Sequence, residues 1–238
     1  MEYRKIFIEA TVGSINYNLT DEKSDTDFKQ FVCPTFEDLY TNNQYSSSYT
    51  SDCYDYTVHD IRKFSYLLYK ANINFVEVLF AKQSMFHSDL KWVEEHKYDL
   101  STMNLPYLYN ACIGMYHEKV KRLHKGTKTT QILVDNYGYD TKQAMCAFRV
   151  LDFITRMAKN NFDFGKSIYY SDNGPMHNIL MDMKRGRFTE DIFMTMLEDK
   201  RKYALEYEEL FKRKEVNNKL KDDFDKVIKK AVISNMEM

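Results

Sequence analysis

Ile6 to Val12 (IFIEATV) is a β-branched and apolar run closed by Gly13, and it predicts a first strand. A polar turn over Asn16 to Lys23 follows. A second strand is predicted from Lys23 to Cys33, ended by Pro34. Glu37 to Tyr40 reads as a short helix. The segment Thr41 to Asp52 (TNNQYSSSYTSD) is poor in aliphatic residues and reads as a loop or flap. Tyr54 to Val58 predicts a third strand. Beyond it the apolar spacing changes from two to three and four: Ile61, Phe64, Leu67, Leu68 and Ala71 share one helical face, with Asp60 placed as its N-cap. Asn72 to Asn74 breaks this pattern, and Phe75 to Phe80 (FVEVLF) resumes as a short buried helix.

From about Trp92 the pattern is helical throughout. Leu105 to Leu123 predicts an amphipathic helix. Asp140 is the expected cap of a long one over Thr141 to Asn160, with Ala144, Ala147, Phe148, Leu151 and Ala158 as its core stripe. Lys142, Arg149 and Arg156 recur every seven residues along one flank, and Asp152 stands where it can pair with either arginine. Pro175 to Lys184, closed by Gly186, and a helix capped by Thr189 and running to about Arg213 come next. The last is Lys219 to Ile233. The fold class expected is α+β: a small mixed-sheet unit over 1–100 and a largely helical remainder over 101–238.

Composition adds limits. The 238 residues are 44% hydrophobic and 15% aromatic, which fits a folded chain with a sizeable core. With 7 Gly and 3 Pro there is no long flexible linker. The N-terminal MEYRKIFIEA lacks the unbroken apolar core of a signal peptide, and no stretch approaches a membrane span. The expectation is a soluble cytoplasmic protein. Cys33, Cys53, Cys112 and Cys146 form no ligand spacing and read as reduced thiols. His87, His117, His124 and His177 likewise form no metal-type set.

The net charge of −1 hides an asymmetry. Between Thr20 and Asp60 acids outnumber bases heavily, whereas His117 to Lys128 carries Lys119, Lys121, Arg122, Lys125 and Lys128 against Glu118. Such halves suit a cation-binding region and a phosphate-holding region, or two ordinary solvated surfaces.

The candidate chemistry sits on the predicted strands. Asp25 and Asp27, two apart, leave one face of a strand together. Neighbouring carboxylates repel unless a cation shares them, and hard oxygen ligands favour magnesium, with manganese as a substitute. Asp55 on the next strand completes a triad. Backbone amides at Gly13 and Ser14 can hold phosphates, because glycine lets backbone approach closely. Nucleotidyl transfer uses such a set: two divalent ions bridge the attacking oxygen and the phosphate being transferred.

Val12-Gly13-Ser14, ten residues, then Asp25-Thr26-Asp27-Phe28 resembles the signature of the DNA polymerase beta nucleotidyltransferase superfamily. Two later blocks narrow the likeness. Asp55 to Lys63 (DYTVHDIRK) with Asn72 to Glu77 (NINFVE), and Tyr139 to Ala144 (YDTKQA) with Arg149-Val150-Leu151, Gly165 and Arg185-Gly186, resemble the YcgL-type, RNA-repair-pathway polymerase-beta predicted nucleotidyltransferases. The chain departs from that pattern at Ile15, Asn18, Thr26, His59 and Ile73. The resemblance implies a palm-like sheet, magnesium and a nucleoside triphosphate. It implies Asp25, Asp27 and Asp55 as catalytic metal ligands, and Gly13, Ser14, Lys63, Lys142 and Arg149 as nucleotide-binding residues. Glu77 reads as structural, paired with a basic residue.

The function expected is transfer of an NMP from an NTP to a hydroxyl acceptor, with an RNA 3' end such as a tRNA foremost. Transfer to a Tyr, Ser or Thr of a partner protein is the alternative. A non-catalytic nucleotide- or RNA-binding module is the reading from another class.

Overall fold

The computed structural model describes residues 4–22, 24–51 and 53–236. Lys23, the expected start of the second strand, and the acid Asp52 lie outside the described residues. The chain sorts into two compact units, one of residues 4–104 with 215–236 and one of residues 105–214.

In the first unit β1 (Ile6–Val12) runs into a single helical turn, α1 (Ser14–Tyr17), and then β2 (Thr26–Val32). A short helix, α2 (Phe36–Tyr40), is closed at its start by a Thr35–Asp38 capping box. β3 (Ser46–Thr50) and β4 (Tyr54–Asp60) follow, then α3 (Phe64–Tyr69), α4 (Ile73–Val76), β5 (Ser84–Phe86), α5 (Lys91–Glu95) and α6 (Lys97–Thr102). Among the described residues the strands form one five-stranded sheet in the order β3-β4-β2-β1-β5. It is mixed: β2 and β4 are parallel, and the other pairs antiparallel.

β3 corrects the reading of Thr41 to Asp52 as a loop. Its five residues are all exposed, so burial does not hold it. The backbone ladder to β4 does, from Ser46 opposite His59 to Thr50 opposite Asp55. An edge strand of Ser, Tyr and Thr carries no apolar stripe for a pattern reading to find.

Alternation gives the sheet two faces. Ile8, Ala10 and Phe31 point to the helices, where Ile61, Phe64, Leu68, Ile73 and Val76 are all essentially inaccessible. Phe31 packs on Phe64 with ring centroids 4.3 Å apart. On the other face Phe28 stacks on Tyr56 at 4.7 Å, with Tyr49 and Tyr54 alongside.

The second unit is helical. Its elements are α7 (Leu105–Lys121), α8 (Gln131–Tyr137), α9 (Thr141–Lys159), α10 (Phe164–Ile168), α11 (Pro175–Lys184), α12 (Glu190–Leu205) and α13 (Glu208–Lys212). Asp140 caps α9 by accepting the Gln143 amide at 3.0 Å. That helix is buried on more than a stripe: Met145, Val150, Phe153, Ile154 and Met157 join the expected Ala144, Ala147, Phe148 and Leu151, while Ala158 is only half-buried. It is the central helix of this unit, packed by α7, α11 and α12. The expected single helix from Thr189 to Arg213 breaks at Glu206 and Tyr207.

α14 (Asn218–Met236) returns to the first unit, where 101–238 was expected to form one helical part. The reason is apolar: Phe224 lies edge-on to Phe64 at 5.6 Å and 6.1 Å from Trp92, and it is fully buried. Burial of one such ring is worth about 2–3 kcal/mol.

Candidate active site

The parallel register of β2 and β4 sets Asp27 directly beside Asp55, Lys29 beside Thr57 and Phe31 beside His59. β1 adds Val12 opposite Asp27 on the other side. Asp25 precedes β2 and is exposed, whereas Asp27 and Asp55 are half-buried. Burial first, then the charges of Asp55, Glu77 and Asp25, push the Asp27 carboxyl up to about 6. Lys29 pulls it the other way. Asp55, Glu77 and the exposed Asp25 are thus the negative charges that act on Asp27.

Gly13 ends β1 at φ +72°, a backbone region that L side chains rarely adopt. A Cβ there would stand 2.5 Å from Asp27 Oδ2, so the glycine makes room for that carboxylate. Its amide donates to Glu77 Oε2 at 3.0 Å. Of the two amides expected at the phosphates, the Gly13 N–H is thus spent within the fold. Ser14 opens α1, so its N–H belongs to the first turn, where amides have no intrahelical acceptor.

Glu77 is the organiser that a sequence reading understates. It is 2% exposed. Besides the Gly13 amide it accepts the Tyr17 hydroxyl at 2.8 Å on Oε1 and the Asn16 side-chain amide at 3.4 Å. The same Asn16 amide reaches the Glu77 carbonyl at 3.2 Å. One carboxylate therefore fixes the whole Gly13–Tyr17 turn. Lys29, which no motif singled out, is 8% exposed and donates to the Asn74 carbonyl at 2.5 Å. Its ammonium lies 4.4 Å from the centroid of the Phe75 ring.

The remaining expected residues lie elsewhere. Lys63 donates to the Gln44 carbonyl at 3.0 Å, beside the end of β4 remote from Asp55. Five residue rises along the strand lead from Asp55 to Asp60, a span of about 16 Å. Lys63 is thus not brought to the aspartates. Arg62 is bound to Asp60 at 2.6 Å and to the Asn43 carbonyl. Lys142 and Arg149 belong to the second unit, the former exposed and the latter 4% exposed. Asp152 takes the Lys200 ammonium at 2.7 Å and the Tyr170 hydroxyl at 3.1 Å. Arg156 instead donates to the carbonyls of Lys166 and Tyr169.

Among the described residues no three His, Cys, Asp or Glu side chains are grouped as a metal-holding set. The fit of Asp25, Asp27 and Asp55 to magnesium is one of chemistry. They offer hard oxygen donors, and the repulsion that adds to burial in raising Asp27 is what a divalent cation relieves. No helix among the described residues is long and apolar enough to cross a membrane. No protein-family model matches the chain, and no curated protein matches it.

Proposed function

We propose that the chain is a magnesium-dependent nucleotidyltransferase that transfers an NMP from an NTP to a hydroxyl, foremost at an RNA 3' end. The observation that carries this reading is the pairing of Asp27 with Asp55 on adjacent parallel strands, with the Asp27 carboxylate seated against Gly13.

Asp25, Asp27 and Asp55 are the residues that would hold magnesium. Bound there, the cation supplies charge neutralisation for the triphosphate and acidifies the acceptor hydroxyl. Asp55, on the strand next to Asp27, takes the acceptor's proton. The acceptor oxygen bonds to the α-phosphorus as the bond to the bridging oxygen breaks, and pyrophosphate leaves with that electron pair. The Ser14 amide and hydroxyl orient the leaving phosphates, on a turn held by Glu77. In the helical unit, exposed Lys121, Arg122, Lys125 and Lys128 suit a phosphate backbone. Arg122 also pairs with Glu118 at 2.7 Å, an exposed link that RNA phosphate can displace.

The test is incubation with labelled NTPs, magnesium and total RNA, for the wild type and for Asp25→Ala with Asp27→Ala. Label entering RNA with the wild type alone supports the reading. Label on protein redirects it to a protein acceptor, and equal labelling by both forms overturns the aspartate assignment.

A further inference from the structure

Contacts and short chain links join Asp27, Gly13, Glu77 and Lys29. Asp27 abuts Gly13; Gly13 donates to Glu77; Glu77 follows Asn74 and Phe75 by three and two residues; and those two residues hold the ammonium of Lys29, which leaves the same face of β2 as Asp27. They link the carboxylates of Asp27 and Glu77 with one buried ammonium, and Asp55 stands beside Asp27 on the next strand. A buried lysine is costly unless opposite charge offsets its desolvation: burial holds the Lys29 pKa down, and the charges of Glu77 and Asp27 work against that and offset part of it. With Nζ committed to a carbonyl and the side chain covered, Lys29 has no path to a triphosphate.

We propose that Lys29 is a positioning residue of the acidic site: its buried ammonium, anchored on the Asn74 carbonyl and the Phe75 ring, is the resident positive charge on the Asp27 face of β2 and tempers the affinity of that site for a divalent cation. The inference rests on the proposed function for the identity of the cation, but not for the counter-charge itself. Two consequences follow from the sign of the charge. A fixed positive charge beside a cation site repels the incoming ion, so its removal tightens cation binding while weakening the fold. The destabilisation depends on Asp27, because Asp27 is one of the charges that Lys29 offsets.

The experiment uses the full chain and manganese, followed by the loss of its free-ion paramagnetic resonance signal. Lys29→Met is expected to bind manganese on the order of tenfold more tightly than the wild type. Lys29→Arg, which keeps the charge, is expected to retain wild-type affinity. Lys29→Gln keeps an N–H donor, on a side chain one atom shorter, without the charge and takes the place of Lys29→Met should that variant not fold. Equal affinity across wild type, Met and Gln variants would make Lys29 merely structural and overturn the proposal.

The second measurement needs no metal. Urea denaturation of Lys29→Met, Asp27→Asn and the double variant forms a cycle. The Lys29 substitution is expected to cost markedly less stability in the Asp27→Asn background, whereas strictly additive costs overturn the counter-charge. If the wild type binds no manganese through Asp27, the magnesium reading fails. The cycle then decides the role of Lys29 without it.

Discussion

Asp27 Oδ2 occupies the space that a side chain on Gly13 would fill: a Cβ built there stands 2.5 Å from it. Gly13 also holds φ +72°. Gly13→Ala therefore meets two separate costs, one of backbone conformation and one of collision with a carboxylate. Together they are expected to remove about 2–4 kcal/mol of stability, the backbone part being ~1–3. Urea denaturation separates the two. In an Asp27→Ser background the collision is gone, so the same substitution should cost only the backbone part. An equal cost in both backgrounds would show that the carboxylate does not rest on the glycine.

Glu77 gathers donors from three residues of one turn, Gly13, Asn16 and Tyr17. Glu77→Ala removes the shared acceptor from a buried place. It is expected to destabilise the fold by about 3 kcal/mol, and Tyr17→Phe, which gives up one bond, by about 1 kcal/mol. Hydrogen exchange at the amides of residues 13–17 provides the local check. Protection there should fall in Glu77→Ala while the β2–β4 ladder keeps its own.

Acid should weaken the first unit in two stages. His59 is packed between Phe31 and Phe75, and burial, followed by the charges of Lys29 and Lys63, holds its pKa down to about 4. The unfolded chain takes up that proton near pH 6.5, so the stability from a neutral His59 is full above 6.5 and is lost as pH falls toward 4. Asp38 acts lower on the scale. The Arg4 guanidinium, bonded to both of its oxygens at 3.0 and 3.1 Å, together with the Thr35 cap, holds its carboxyl well below the usual range. Its contribution is whole above the ordinary aspartate value near 4 and drains away below it. Asp27, whose carboxyl is pushed up to about 6, works the other way over the same range and gains stability as it takes up its proton. Urea midpoints between pH 3 and 7.5 should therefore lose their acid fall above pH 4 in His59→Phe, and the fall below it in Asp38→Asn.

The strands β1, β2 and β4 and the caps at Asp60, Asp140 and Thr189 were legible because each depends on neighbours in sequence: an alternating run, a terminating Gly or Pro, a capping side chain. β3 was hidden because backbone pairing alone makes it. The return of α14 to the first unit was hidden because an amphipathic segment does not say which core receives its apolar face. The same distinction runs through the candidate site. Asp25, Asp27 and Asp55 stood out as a pattern, whereas the roles of Glu77 and Lys29 arise from contacts 64 and 45 residues apart. Lys63 looked close to Asp55 along the chain, yet strand length carries it to the far end of the sheet.

Asp152 gives the sharpest test of the helical unit. Its position on α9 suggested surface pairing with Arg149 or Arg156, but it is 3% exposed and bonded to Lys200 and Tyr170. Lys200 in turn lies 5.2 Å from the Phe148 ring centroid. A surface pair would be worth under ~1 kcal/mol, whereas breaking a buried one leaves a charge unmatched and costs about 3–5 kcal/mol. Asp152→Ala is thus expected to destabilise α9 and α12 by an amount in the higher range. Hydrogen exchange on those two helices reports it without relying on Trp92, which lies in the other unit. Replacing both partners, Asp152→Leu with Lys200→Met, should restore much of the loss, because no unmatched charge remains. A double variant as unstable as the summed singles would mean that the bonds themselves, and not the burial of an unpaired charge, carry the stability of this contact.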